Sequence, residues 1–322
     1  MGRSTSNVGC WGGTRVSKGV RFSVFLCLLG SLALAALGFL YLQERHTPRA
    51  SHAPPTRPYS GESWGRLVPP ALGLRSAMAI VQDQTTGEIL YEKEADRITP
   101  IASITKLMTA MVLLDARLTM TAPVTIIDTD VDTLKNSLSH LPVGWMLTRE
   151  DLLHLALMSS ENRAAGALAR TFPGGTEAFV AAMNSKAAAL GMAHTHFVDP
   201  HGLHPENVST ARELLLMAGA AYAYEPIRRM TTSASLTVVA LNSQRSRTFG
   251  NSDYLVTHEG WTVGMSKTGY IVESGYCLVL QATILNRPVL MVFLNRVGKH
   301  TRMGDAARTR AWLEASAQKG GR

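Results

Sequence analysis

The chain has 322 residues, 46 % of them apolar and 17 % charged, with a formal net charge of +8. That length allows one large domain or two small ones around a packed core, and the composition excludes bulk disorder. The basic residues are scattered, with no dense run and no interleaved aromatic stripe, which excludes an obvious nucleic-acid surface.

Residues 1–21 are polar and carry Arg3, Arg15, Lys18 and Arg21 with no acid. Phe22 to Leu42 is an unbroken apolar run, about the ~20 residues that cross a bilayer. The basic flank before it predicts an N-in orientation and export of the remainder of the chain. A cleavable signal peptide is the competing reading, although its apolar core would be shorter, ~7–15 residues; an uncleaved anchor is preferred. Residues 43–72 turn to Pro, Ser, Arg and His, the composition of an extended linker. Cys10 and Cys27 lie in this leader and Cys277 in an apolar run, so neither a disulfide framework nor a cysteine metal site is expected.

A globular domain is expected over residues 73–316, with 317–322 as a tail. Ala77–Asp83 and Glu88–Lys93 read as two strands around the turn Thr85-Thr86-Gly87. Next comes Pro100-Ile-Ala-Ser-Ile-Thr-Lys-Leu-Met-Thr-Ala110, a strand-to-helix junction with Ser103 opening an apolar helix that runs to about Leu114. Lys106 then falls one turn along, on the face of Ser103. Burial among Leu107, Met108, Met111 and Val112 would disfavour its ammonium and leave an amine able to take a hydroxyl proton. The backbone N–H of Ser103 would point at an oxyanion. By itself Ser-x-x-Lys is expected about once by chance in a chain of this length, and an ordinary helix start with a snorkelling lysine is then the preferred explanation.

Val124–Ile127 reads as a short strand, and Thr148-Arg149-Glu150-Asp151 as a capping box opening a helix to Met158. Ser160-Glu161-Asn162 interrupts the helical pattern before a second helix, Arg163–Arg170. Ser160 and Asn162 there are suited to passing protons and holding a substrate backbone, or merely to capping the next helix. Pro173-Gly174-Gly175 is a turn, with Thr176 as the expected cap of the next helix. His194, His196, His201 and His204 lack the spacing of metal ligands, and no metal or other cofactor is expected. A second capping pattern, Thr210–Glu213, precedes a helix over Leu214–Ala223.

The end of the chain is strand-like over Gly264–Ile271, Tyr276–Leu285 and Val289–Asn295, closing with a helix over about Arg302–Ser316. Strands at both ends with helices between predict an α+β fold, an antiparallel sheet with an inserted helical region. Lys267-Thr268-Gly269 lies on the first of these late strands. Lys267 and Gly269 would share one face, with Thr268 on the other. A lysine and a hydroxyl at a strand edge are suited to gripping a carboxylate, and a solvated Lys–Thr pair is the plainer alternative. Trp145, Trp261 and Trp312 are read as packing.

Taken in order, Ser103-x-x-Lys106, Ser160-x-Asn162 and Lys267-Thr268-Gly269 are the motif set of penicillin-binding proteins and class A β-lactamases. With Leu157-Met-Ser-Ser-Glu-Asn-Arg-Ala-Ala165 and Asn207-Val-Ser-Thr-Ala-Arg212, the chain resembles the low-molecular-mass penicillin-binding proteins, D-alanyl-D-alanine endopeptidase group, over roughly residues 73–316. The resemblance implies the β-lactamase/D,D-peptidase-like fold with a five-stranded antiparallel sheet. It makes Ser103 the acylated nucleophile and Lys106 its base, with Ser160 and Asn162 shuttling protons and orienting substrate. Lys267, Thr268 and Gly269 would bind substrate, with backbone N–H groups of Ser103 and Tyr270 as the oxyanion hole. Peptidoglycan stem peptides would be the substrate, β-lactams the inhibitors, and the cytoplasmic membrane a contact through the N-terminal segment. The Pro200-His201-Gly202-Leu203 element also matches the family and reads as structural. Two departures stand out: no C-terminal β-domain is expected after the last helix, and the N-terminal apolar segment is long for a cleaved leader. A serine β-lactamase and a non-catalytic wall-binding module are the rival readings.

Overall fold

The computed structural model describes Trp64, residues 72–296 and residues 302–320. The expected membrane segment Phe22–Leu42 lies outside the described residues, and among these no helix is long and apolar enough to cross a membrane.

Five strands form one antiparallel sheet: β1 (Met78–Asp83), β2 (Ile89–Lys93), β3 (Thr262–Ile271), β4 (Gly275–Ile284) and β5 (Arg287–Arg296). Their order is β2-β1-β5-β4-β3, so the two ends of the domain pair with each other at the centre, Met78 opposite Leu294 and Asp83 opposite Val289. The expected hairpin holds: Asp83 Oδ1 accepts from the backbone N–H groups of Thr85 and Thr86 at 2.8 and 3.0 Å, which fixes the turn.

Both faces of the sheet are covered, which explains why its strands read as near-continuous apolar runs. Met78, Ile80, Val279, Val292 and Leu294 pack into the core shared with the helical region. Ala79, Val81, Leu278, Leu280, Met291 and Phe293 pack into a second core with Trp312 and Leu313 of the C-terminal helix. Period-2 alternation thus sends successive residues to two cores, each large side chain contributing about 1.5–3 kcal/mol on burial.

Seven helices are described. They are α1 (Thr105–Asp115), α2 (Arg149–Met158), α3 (Asn162–Arg170), α4 (Gly175–Ala189), α5 (Ala211–Tyr222), α6 (Glu225–Thr231) and α7 (Arg302–Gly320). Helix α1 is buried from Thr105 through Leu113 on every side, as a helix apolar all round must be. The capping box at Thr148 forms, with Asp151 N donating to Thr148 Oγ1 at 3.0 Å, and Thr210 Oγ1 caps α5 through Glu213 N at 3.1 Å.

Two local expectations need correction. Thr176 lies inside α4, because Gly174 at φ 86° ends the turn and the helix starts at Gly175. The strand expected over Val124–Ile127 is Pro123–Thr125, paired with Met146–Thr148. The outer hairpin Ser235–Val239/Ser246–Gly250 was not anticipated; only Val238 and Phe249 of its strands are buried, so its apolar signal is faint.

Candidate active site

Three chain segments supply the helical wall of a cleft, and the edge strand β3 supplies the other. Ser103 sits in a single tight turn, Ala102–Ile104, between the two-residue pairing Thr99–Pro100/Val208–Ser209 and α1. Ala102 is held at φ 48°, left-handed for a residue with a Cβ, at a cost of about 1–2 kcal/mol. Ile101 N bonded to Asn207 O at 3.0 Å and Thr105 Oγ1 bonded to Ala102 O at 2.8 Å brace the turn.

Lys106, one turn on, is 1 % exposed. Its Nζ lies 2.8 Å from Ser103 Oγ, 2.7 Å from Asn162 Oδ1 and 2.7 Å from the His201 carbonyl oxygen. Burial pushes its pKa down to about 7, against the opposing pull of the Asp199 and Glu161 carboxylates. A neutral amine has two N–H groups and one lone pair. The Asn162 and His201 oxygens are acceptors only and take the two N–H groups, which leaves the lone pair for the Ser103 hydroxyl.

Asn162 is the first residue of α3, and its Nδ2 donates to Ser137 Oγ at 2.8 Å, so that its oxygen faces Lys106. No side chain caps α3, which removes the plainer reading of Ser160 and Asn162. Ser160, at φ 63° between α2 and α3, accepts from Lys267 Nζ at 2.9 Å. Glu161 is buried and accepts from Ser139 Oγ at 2.7 Å and His140 N at 3.0 Å, tying the neighbouring loop to this connection.

The third segment was read only as structural. Asp199 Oδ1 accepts from the N–H groups of His201 and Gly202 at 2.9 and 2.5 Å, and Oδ2 from His204 N at 2.7 Å. Burial would raise this carboxyl, but its hydrogen bonds and the adjacent His201 hold it down to about 2. The turn presents the His201 carbonyl to Lys106 and the Pro200 carbonyl to Thr109 Oγ1. Gly202, at φ 80°, packs so tightly that a Cβ would stand 1.9 Å from Ala102 O.

On β3, the register pairs Lys267 with Val279 and Thr268 with Leu278. Val279 belongs to the core on the helical side and Leu278 to the other, so the two motif residues leave opposite faces. Thr268 Oγ1 lies 2.8 Å from Ser252 Oγ. A Cβ on Gly269 would meet Ile101 O at 3.0 Å and Ser103 N at 3.2 Å, so glycine lets the strand lie against the serine turn. Tyr270 comes next, half exposed, its ring stacked 4.3 Å from that of Tyr276.

The expected residues therefore converge: Ser103 and Asn162 each in contact with Lys106, Ser160 joined to Lys267, and Gly269 against Ser103. The residues missed are Ser137, Glu161, Asp199, Ser252 and the backbone of His201 and Gly202. Only the Asp199-Pro200-His201-Gly202 turn carried a readable sign, an aspartate two and three residues before the N–H groups it accepts. The clustered histidines serve locally, His194 Nδ1 lying 2.9 Å from Glu213 and His201 Nδ1 3.2 Å from Asp199. No group of three or more His, Cys, Asp or Glu among the described residues is placed to hold a metal.

A family model described as D-alanyl-D-alanine carboxypeptidase matches residues 67–298. A Pseudomonas aeruginosa protein named D-alanyl-D-alanine endopeptidase is 44 % identical over 75 % of this chain and 78 % of its own length. An Escherichia coli protein of the same name is 41 % identical over the same shares. Among solved structures, the Streptomyces K15 DD-transpeptidase superposes with a TM-score of 0.71 at 30 % identity, covering 76 % of this chain and 98 % of that one.

Proposed function

The chain belongs to the D-alanyl-D-alanine carboxypeptidase family of peptidases, and from that premise we propose that it is a serine D,D-peptidase of peptidoglycan acting through an acyl-enzyme on Ser103. The observation that carries the assignment is the 2.8 Å contact between Lys106 Nζ and Ser103 Oγ, with the lysine buried and its pKa near 7.

Neutral Lys106 takes the Ser103 proton as Oγ bonds to the carbonyl carbon of the penultimate D-Ala. Backbone N–H groups of Ser103 and Tyr270 receive the developing oxyanion, each such donor contributing a factor of ~10²–10³ in rate. The C–N bond then breaks, and the leaving nitrogen takes the proton from Lys106 by way of the Ser160 hydroxyl. Water, deprotonated by Lys106, hydrolyses the ester and returns Ser103. Asn162 holds Lys106 and the substrate backbone, while Lys267 and Thr268 grip the carboxylate beside the scissile bond. A β-lactam presents a comparable carboxylate and acylates Ser103, but its opened ring stays tethered and the ester persists.

A terminal D-Ala and the D-centre of a diaminopimelate crosslink both place a carboxylate at that position, so carboxypeptidase and endopeptidase action are one reaction on two leaving groups. The names of the relatives at 44 % and 41 % identity favour endopeptidase. Intact-mass spectrometry with penicillin tests the nucleophile: wild type should carry one long-lived adduct and Ser103→Ala none. An adduct on the alanine variant would remove Ser103 from the role. Rapid loss from wild type would indicate a serine β-lactamase, and no adduct a non-catalytic wall-binding module.

We place the domain on the outer side of the cytoplasmic membrane, tethered by Phe22–Leu42, on the strength of the basic flank and the apolar run. Protease added to spheroplasts should digest the domain; protection, or a soluble form beginning near Gln43, would refute the tether.

A further inference from the structure

A cleft of about 410 Å³ opens beside the serine site, between the α2–α3 connection, the loop bearing Leu138 and His140, and the outer hairpin strand Ser246–Gly250. None of the three motifs accounts for it. It is nevertheless continuous with them, since Ser160 and Asn162 line its inner end.

Its position relative to the proposed carboxylate grip decides what enters it. Lys267 Nζ bonds Ser160, which lines the cleft. Thr268 Oγ1 bonds Ser252, two residues beyond Gly250, which also lines it. The carboxylate held there belongs to the leaving group, so the cleft receives whatever the leaving group carries beyond that carbon. A terminal D-Ala carries only a methyl. The D-centre of a diaminopimelate crosslink carries a methylene chain and then the acceptor peptide with its own carboxylates.

The lining suits the second. Leu138, at 94 % exposure, is an apolar side chain with nothing of the described protein over it, and a methylene chain would cover it. Arg247 is exposed at the other side of the cleft and donates one hydrogen bond to the His140 carbonyl. The guanidinium has further donors, in a fork matched to a carboxylate. The one carboxylate in the lining, Glu161, is buried and engaged by Ser139 and His140 N. The hairpin bearing Arg247 is fixed: Val238 pairs with Arg247, and Asn251 Nδ2 holds the carbonyls of Thr231 and Ser233 at 2.9 and 2.8 Å.

We propose that this cleft is the leaving-group subsite for crosslinked peptides, in which Leu138 covers the linking methylene chain and Arg247 selects an acceptor peptide with a free carboxylate. The proposal rests on the endopeptidase reading.

The experiment measures kcat/KM for two crosslinked dimers that differ only in the acceptor carboxylate, free or amidated, beside a pentapeptide monomer. Wild type should prefer the free acid. Arg247→Ala should shrink that preference by up to about fivefold, the scale of a solvent-exposed ion pair, and Arg247→Glu by about tenfold or more through like-charge repulsion. The preference is a ratio within one protein, so a partly misfolded preparation cancels from it. Wild type that opens both dimers equally, or an Arg247→Glu variant that keeps the wild-type preference, overturns the subsite alone. Wild type that acylates with penicillin and trims the pentapeptide but opens neither dimer overturns the endopeptidase reading and the subsite with it.

Discussion

The two walls of the serine cleft each bury a lysine, and they handle it differently. On the helical wall, Lys106 is surrounded by oxygens of Ser103, one turn away, and of Asn162 and His201 from two distant segments. None of these carries a charge, and burial brings the amine to the edge of neutrality. On the sheet wall, Lys267 sits within a regular ladder and bonds Ser160 Oγ and the Thr268 carbonyl, beside a hydroxyl at the strand edge. In the proposed mechanism the first wall moves a proton and the second holds an anion. The surroundings of each side chain set its chemistry.

The largest expected effect comes from making the helical wall behave like the sheet wall. Lys106→Arg keeps a cation but one that stays protonated, so the acylation rate should fall by the ~10²–10⁴ that a general base contributes. Stopped-flow penicillin acylation measures it. The pH profile carries the sign: the wild-type rate should rise with pH through about 7 as the ammonium loses its proton, and the arginine variant should lack that limb. An arginine variant acylating within a few-fold of wild type would mean that Lys106 acts by charge, and the contrast between the walls would collapse.

How far each wall could be read in the sequence follows the same division. The sheet wall is contiguous, and alternation alone assigns Lys267 and Gly269 to one face and Thr268 to the other. The helical wall was legible where a local rule applies, in the one-turn spacing of Ser103 and Lys106. The helix break at Ser160-Glu161-Asn162 was legible in the same way. The partners that define the lysine were not. His201 acts through a carbonyl, which every residue has, and Ser137 and Ser252 are ordinary loop serines until the fold brings them to Asn162 and Thr268. Gly202 was visible only as part of a family element, although its φ of 80° and the crowding at Ala102 O admit no other side chain without movement. The antiparallel sheet was legible in the strand patterns at the chain ends, but its strand order and its division of two cores were not, and the outer hairpin, with only two buried positions, left too weak an apolar pattern to read.

A smaller effect is expected on the sheet wall, where the proposed role of the group at issue is to bind and not to react. Thr268→Val nearly keeps the volume and the strand propensity and deletes one hydroxyl. In wild type that hydroxyl lies 2.8 Å from Ser252 Oγ at a position 4 % exposed. With substrate bound, its loss would leave a desolvated carboxylate short of one donor, at a cost of about 1–3 kcal/mol, or roughly five- to 150-fold. The grip acts on a carboxylate that dimers, pentapeptides and penicillins share, so all three should slow together, in kcat/KM. The pH limb near 7 should persist, because Lys106 is untouched. Chromatography of muropeptide digests and penicillin acylation across pH measure both quantities on one preparation. Unchanged rates on all three substrates would pass the carboxylate to Lys267 alone. Loss of the pH limb would show that the two walls are coupled through Ser160, the residue that bonds one lysine and stands two positions from the asparagine that bonds the other.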